Sequence, residues 1–300
     1  MVLAFDLGGT DLKAARVTRE GEVRGFRRSP SRAREGEGPL FAAIAEAAER
    51  LGGAMGPAIA GFGCPGVVHP ETGALVHHTP NLQLAPDFPL RERLEGVLRS
   101  RVAVDNDANL AALAEHTLGA AKGARVSLTV TVGTGIGCGI VADGRLLRGS
   151  FGGAGELGHL PLGCDGPPCA CGVAGCAEPL AGGAGLLARA QEAGLAVNSA
   201  REVFDSGHPR APWIRERMTE RLAQMLGAAV NLLNPDVVVI GGGIAQAGEK
   251  LFTPVKKALD RYALESHRRR LRVVPAKLGE QAGVIGAGLL AWEQSAARRG

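Results

Sequence analysis

One imidazole and three thiols stand within eighteen residues of this chain: His159, Cys169, Cys171 and Cys176. Those residue types at that spacing make a tetrahedral structural zinc set, with every ligand position supplied by the protein. Two carboxylates, Glu156 and Glu178, flank the set. A zinc-bound His159 is neutral and spends one ring nitrogen on the metal, so the other can hydrogen-bond a ligand. Carboxylates and an imidazole in one pocket match the many hydroxyls of a sugar. The competing explanation is a chance grouping of buried thiols, and the spacing argues against it. The expected metal is therefore architectural, a clip that holds a binding site in shape.

Three glycine-rich turns and one acidic run carry the remaining chemistry. Asp6-Leu7-Gly8-Gly9-Thr10 closes an apolar run. Its glycines let the backbone approach an anion and point N–H groups at it. Thr10 adds a hydroxyl, Asp6 can face a hydrated Mg²⁺, and Lys13 lies just beyond. Gly133-Thr134-Gly135 holds the matching place in the second half, so the two turns would clamp a polyphosphate from both sides. Either turn alone also suits an ordinary hairpin. Gly241-Gly242-Gly243 follows a Val-rich run, where bare backbone can lie against a base or ribose. Asp105-Asn106-Asp107-Ala108-Asn109 sits between an expected strand and an expected helix. N-capping needs only one such residue. An Asp at a helix start is kept ionised by the helix N-terminus. It can take a hydroxyl proton in phosphoryl transfer, where positioning counts for more than basicity. His77-His78 is expected to be loop surface.

Two nucleotide motifs are excluded. A dinucleotide fingerprint needs G-x-G-x-x-G opening a helix. The run from Gly241 has Gln246 at its last position, and the run from Gly133 has Cys138. Gly61-x-Gly63-x-x-Gly66 matches the letters but encloses Pro65, and no G-x-x-x-x-G-K-[ST] occurs.

The elements that must position these groups follow from periodicity. Strands are expected at 2–7, 12–18 and 22–28, an antiparallel start with turns at Gly9 and Gly21. A helix over 39–51 places Leu40, Ile44, Ala47 and Leu51 on one face. Strand 58–63, helix 89–99, strand 101–105 and the Ala-rich helix 107–121 complete the first half. The pattern restarts with strands at 125–132, 136–142 and 145–149, the last two joined by an Asp143-Gly144 turn. After the metal region come helices at 183–193, 199–206 and 211–233, strand 237–240, helix 248–263, strand 271–275 and helix 281–297. Each half opens with a hairpin bearing a Gly/Thr turn and continues with alternating helix and strand. That repeat predicts two α/β lobes with a cleft between them. Residues 1–120, joined by the C-terminal helix 281–300, would form one lobe, and 121–280, with the zinc loop 159–176, the other.

Composition bounds the class. With 300 residues, 45% hydrophobic but only 4% aromatic, the chain can bury a large aliphatic core. The net charge of +4 is spread out, and Arg268-Arg269-Arg270 is too small a patch to suggest nucleic acid. No basic leader precedes Asp6, and apolar runs such as 282–292 are too short for a bilayer. Six cysteines, four of them clustered, fit a reducing cytoplasm and a metal site. Cys64 and Cys138 are expected to be buried small hydrophobes.

The ensemble of motifs resembles the ROK family (repressors, open reading frames and sugar kinases), within the superfamily of sugar kinases, actin and the heat-shock chaperone ATPases. The resemblance is most specific in Glu156-x-Gly158-His159 with Cys169-x-Cys171-Gly172-x-x-Gly175-Cys176-x-Glu178. It implies a two-lobed actin-like ATPase (ribonuclease H-like) α/β fold with a zinc loop. It implies that Asp6, Gly8, Gly9, Thr10 and Lys13 form the first phosphate loop. Gly133, Thr134 and Gly135 would form the second, and Gly241, Gly242 and Gly243 the adenosine loop. Asp107 would deprotonate the sugar hydroxyl. Asn106, Glu156, His159 and Glu178 would hold sugar hydroxyls, and Gly66 and Asn81 would border the sugar pocket. The implied activity is Mg²⁺- and ATP-dependent phosphorylation of glucose at its 6-hydroxyl, by a homodimer or homotetramer. After Pro80-Asn81-Leu82 the family often continues Pro-Gly-Trp, whereas this chain reads Gln83-Leu84-Ala85. Kinases for N-acetylmannosamine, N-acetylglucosamine or fructose therefore stay open, as do polyphosphate as donor and a non-catalytic sugar sensor. Family repressors carry a helix-turn-helix domain before the first phosphate loop; the loop here starts at Asp6, which favours the enzyme.

Overall fold

The computed structural model describes residues 1–52, 59–76, 82–163 and 166–297. Asn81, His77-His78 and Cys164 lie outside these. In chain order the elements are β1 (Val2–Leu7), β2 (Asp11–Val17), β3 (Val23–Pro30), α1 (Glu37–Arg50), β4 (Ile59–Cys64), α2 (Leu90–Leu98), β5 (Arg101–Asn106) and α3 (Asp107–Thr117). They continue with β6 (Val126–Val132), β7 (Ile136–Ala142), β8 (Arg145–Leu146), α4 (Ala177–Ala181), α5 (Gly183–Glu192), α6 (Glu202–Asp205) and α7 (Ala211–Leu233). The chain ends with β9 (Val237–Gly241), α8 (Glu249–Leu259), α9 (Glu265–Arg268), β10 (Arg272–Pro275) and α10 (Ala282–Ala297).

Two compact units result. The first comprises Met1–Leu118, Leu146–Ala154 and Glu280–Gly300; the second comprises Gly119–Arg145 and Gly155–Gly279. Each holds one five-stranded sheet, ordered β3-β2-β1-β4-β5 in the first and β10-β9-β6-β7-β8 in the second. These are the same topology traced twice. In each, a hairpin (β1–β2 or β6–β7) is antiparallel, and the later strands join its first strand in parallel. The repeat read from two Gly/Thr hairpins is thus a mixed α/β fold of duplicated sheets.

Burial explains the strand sequences. β1, β4 and β9 are buried along their whole length and read as nearly unbroken apolar runs, as strands covered on both faces must. The edge strand β3 instead carries Arg24, Arg27 and Arg28, charges that discourage pairing with another chain. Each unit has its own core. Phe5 and Phe62, 6.0 Å apart, sit with Phe41 in a mainly aliphatic cluster in the first. Leu128, Val130 and Ile240 share one core with Leu222 and Leu226 of α7 in the second. Helix α10 returns to the first unit and packs on α3, β4 and β1. Among the described residues, no helix is long and apolar enough to cross a membrane.

The structure departs from sequence expectation in a few places. The third strand of the second half is two residues long instead of five. From its last residue on, Leu146–Ala154 lies with the first unit, where Arg148 Nε donates to Asp105 Oδ2 at 2.7 Å. Helix α3 stops at Thr117 and α8 at Leu259, both short of their expected ends, and α6 covers only Glu202–Asp205. The short helices α4 and α9 have too few residues to show a period.

Candidate active site

In the first unit the candidate groups sit at the carboxyl ends of the parallel strands β1, β4 and β5, where α/β sheets place ligands. Strand pairing sets Asp6, Gly63 and Asp105 side by side, with Cys64 opposite Asn106 one residue further. The turn after β1 is closed by Gly8 N–H donating to the Asp11 carbonyl at 2.8 Å. Thr10 is exposed, and its hydroxyl donates to Asp11 Oδ2 at 3.1 Å. Arg28 donates to the same oxygen and holds the Asp11 carboxyl below the usual carboxylate range. Asp6 is nearly buried and accepts from Lys13 Nζ at 3.0 Å, while Gly283 of α10 packs its bare Cα against the Asp6 carboxylate.

Asn106 is the N-cap of α3. Its Oδ1 accepts from Ala108 N at 2.9 Å and Asn109 N at 3.1 Å, the cap geometry that satisfies the orphan donors of a helix start. Its Nδ2 donates to the Gly66 carbonyl at 3.0 Å, so the structure brings Gly66 and Asn106 together. Asp107 is the first residue of α3 and is half-buried; its Oδ1 accepts from Ala108 N at 2.8 Å. Cys64 is fully buried behind this pair. Burial, and then the charges of Asp107 and Asp105, push its thiol well above its usual range, so it stays neutral. Two residues the sequence reading left without a role complete the support. Asp105 is buried and accepts from Asn109 Nδ2 at 2.9 Å, Asn106 N at 2.8 Å and Arg148 Nε at 2.7 Å. Asp105 was visible in the acidic run, whereas nothing in the spacing marks Arg148.

In the second unit the two remaining glycine turns stand side by side. β6 and β9 are parallel neighbours with Thr131 opposite Gly241, so Gly133-Thr134-Gly135 and Gly241-Gly242-Gly243 leave the same edge of the sheet. Gly242 adopts φ +86° directly over the Val132 carbonyl, a conformation and a closeness that exclude a side chain. Ile136 N donates to Glu178 Oε2 at 2.8 Å, which places Glu178 against the Gly133-Thr134-Gly135 turn.

Glu156, His159 and the cysteines form the other cluster of this unit. One ligand atom from each of His159, Cys169, Cys171 and Cys176 lies within 4.8 Å of all the others. Cys169 Sγ is 3.6 Å from His159 Nδ1, and Cys171 Sγ is 3.6 Å from Cys176 Sγ. A tetrahedral zinc with its usual bond lengths has edges of about 3.6–3.8 Å, which these two separations match, so the donor set fits that ion in kind and number. Cys169 N–H donating to Val173 O at 3.2 Å and Gly172 N–H to Cys169 O at 3.0 Å fold the knuckle. His159 uses Nδ1 toward the thiols, while its Nε2 lies 3.8 Å from a Glu156 oxygen. Glu156 reaches the surface, yet the protein packed round its carboxyl pushes its pKa up, and the Glu178 charge adds to this while His159 opposes it.

The ROK family profile matches residues 2–294, nearly the whole chain. The chain belongs to the ROK family. Among its ROK relatives, a glucokinase of Halalkalibacterium halodurans is 37% identical, over 97% of this chain and 95% of its own length. An N-acetylmannosamine kinase of Citrobacter koseri is 36% identical over 96% of this chain and 98% of its own. The crystal structure of a ROK hexokinase from Thermus thermophilus superposes with a TM-score of 0.82 at 37% identity, covering 99% of each chain. The duplicated five-stranded sheets are the ROK sugar-kinase fold, of the actin-like ATPase type.

Proposed function

We propose that this ROK protein is an ATP-dependent hexokinase that transfers the γ-phosphoryl group to the 6-hydroxyl of glucose. The observation that carries the reading is the start of α3: a carboxylate, Asp107, held at a helix N-terminus beside a capping amide, Asn106, in a chain similar to a glucokinase from end to end. Asp107 orients the hydroxyl and takes its proton as the oxygen attacks phosphorus. The helix N-terminus keeps the carboxylate ionised for that step. Asn106, Glu156, His159 and Glu178 hold the other hydroxyls, with Gly66 at the border of the sugar. Backbone N–H groups of the Gly8-Gly9-Thr10 and Gly133-Thr134-Gly135 turns, the two threonine hydroxyls and Lys13 stabilise charge on the transferred group. Mg²⁺ arriving with the nucleotide supplies further charge neutralisation, and Asp6 is the side chain that would face it. Gly241-Gly242-Gly243 takes the adenosine.

His159, Cys169, Cys171 and Cys176 would hold a zinc ion whose contribution is structural, because all four positions are protein-derived. Metal analysis of the purified protein is expected to give one zinc per chain. The resemblance also implies a homodimer or homotetramer in the cytoplasm, and light scattering measures the former.

A second reading is an N-acetylmannosamine kinase, favoured by the Citrobacter koseri relative, whose identity is nearly that of the glucokinase. A panel of glucose, fructose, N-acetylmannosamine and N-acetylglucosamine, with ATP and then polyphosphate as donor, separates the readings. Glucose with ATP is expected to give the highest kcat/KM. A higher value for an N-acetylated sugar overturns the glucose assignment, and sugar binding without turnover overturns the enzyme.

A further inference from the structure

Glu178 does more than the sugar role given to it above. We infer that it is also a positioning residue for the phosphate turn: its carboxylate holds Gly133-Thr134-Gly135-Ile136 in the shape that receives the donor, and so couples the acceptor to the donor. The inference rests on the kinase reading.

Three contacts carry it. Ile136 N donates to Glu178 Oε2 at 2.8 Å, a charge-assisted bond at the end of the turn. Gly135 lies so close that a β-carbon there would fall on the Glu178 carboxylate, so this turn is built around the acid. The chain just beyond Glu178 is zipped to the same turn: Gly183 N donates to Gly133 O at 2.8 Å, and Ala184 N to Thr134 O at 2.9 Å. These bonds decide which way the turn faces. The carbonyls of Gly133 and Thr134 are occupied by the start of α5, Gly133 N–H by Gly135 O at 3.0 Å, and Ile136 N–H by Glu178. Thr134 and Gly135 have N–H groups with no hydrogen-bond partner among the described residues, and those are the donors the turn offers to an anion.

Glu178 is itself fixed from both ends of α4. Ala177 N donates to Leu160 O at 2.9 Å beside the cysteine knuckle, and Arg189 donates to the carbonyls of Pro179 and Leu180, each at 2.7 Å. One carboxylate oxygen is thus built into the donor turn. When a sugar hydroxyl binds this carboxylate, it steadies a group on which the turn's shape depends. By linkage, sugar and nucleotide then raise each other's affinity by the same factor.

The test is ADP binding by calorimetry on the full chain, first without sugar and then with saturating glucose. Glu178→Ala is expected to weaken sugar-free ADP binding about tenfold and to abolish the gain from glucose. Glu178→Gln keeps an oxygen that can accept from Ile136 N, so its sugar-free ADP affinity should stay within about twofold of the parent while glucose binding falls. Glu156→Ala, a sugar ligand with no bond to the turn, should leave sugar-free ADP affinity unchanged. Parent-like ADP binding by Glu178→Ala, with glucose binding lost, overturns the inference and leaves the kinase reading standing. A parent that binds no ADP and phosphorylates no sugar overturns both. If Glu178→Ala does not fold, Glu178→Asp, one methylene shorter, carries the same comparison.

Discussion

Replacing Arg148 with Met removes the guanidinium from a carboxylate that has nowhere else to send its charge. The Asp105 side chain is 5% exposed and that of Arg148 is 29% exposed, with 2.7 Å between Nε and Oδ2. Breaking a buried pair from one side costs about 3–5 kcal/mol, because the remaining charge stays desolvated. Here Oδ1 keeps its bonds from Asn106 N and Asn109 Nδ2, so the lower end, about 3 kcal/mol, applies. At roughly 2–4 °C per kcal/mol, the unfolding midpoint should fall by about 6–12 °C. Activity should fall too, because the carboxylate freed from Arg148 is bonded to the backbone of Asn106, directly before Asp107. Glu293 of α10 also senses Arg148: burial pushes its carboxyl up and the guanidinium pulls it back, so the variant leaves Glu293 more readily protonated. The decisive comparison adds Asp105→Asn. That change removes the stranded charge, so the double variant should melt above Arg148→Met alone. Thermal melts followed by circular dichroism, with kcat on the same samples, give both readouts. A double variant less stable than either single, with losses that simply add, would refute the reasoning.

Three further outcomes are expected. Asp107→Ala should lower kcat by about 10²–10⁴, the range for a positioned proton acceptor, with glucose still bound in calorimetry; turnover equal to the parent removes Asp107 from the mechanism. Cys176→Ser should cut the zinc content in metal analysis and lower the melting temperature, since Cys176 is the fully buried member of the quartet and directly precedes α4; full zinc retention argues against the four-ligand site. Asp236 accepts from Val126 N at 2.9 Å and Arg125 N at 2.8 Å, and the bond from Val126, with the second beside it, lowers its pKa. A lowered carboxylate pKa stabilises the fold above its unfolded value, and that contribution is lost as pH falls through the folded one. Asp236→Ala should therefore cost about 1 kcal/mol at pH 7, discounted for exposure, and the gap to the parent should narrow below about pH 4; a gap that widens in acid contradicts the assignment.

Local chemistry made most of the architecture legible. Apolar runs ending in glycine placed β1, β4 and β9 within a residue or two, because a strand buried on both faces has no other composition open to it. Asp105–Asn109 exposed the cap of α3 because capping is a local interaction. The meeting of His159 with Cys169, Cys171 and Cys176 was legible because four residues close in sequence need only one tight knuckle to come together. What escaped shares one feature, dependence on partners distant along the chain. Arg148 meets Asp105 across 43 residues, and Glu178 meets Ile136 across 42. No periodicity encodes either meeting. The third strand of the second half was misjudged for the same reason: it ends at Leu146, and Arg148, two residues on, bonds to Asp105 of the first unit. Helix α4, at five residues, is too short for any period to appear.

The important side chains of both units share a design that bears on how they should be probed. Each has two polar atoms and gives at least one of them to the scaffold. Asn106 caps α3 with Oδ1 and reaches Gly66 with Nδ2. His159 turns Nδ1 to Cys169 and Nε2 toward Glu156. Asp105 bonds backbone and Asn109 through Oδ1 and Arg148 through Oδ2. Truncation to alanine removes both halves at once, so a loss of activity cannot be assigned to chemistry or to support. Isosteric changes separate them. Asn106→Asp retains, and even improves, an acceptor at the helix start, but sets a negative charge against the Gly66 carbonyl in place of a donor. That asymmetry gives a physical reason for Asn at 106: Asp and Ser cap as well, but neither supplies the amide N–H that ties the cap to the Gly66 turn.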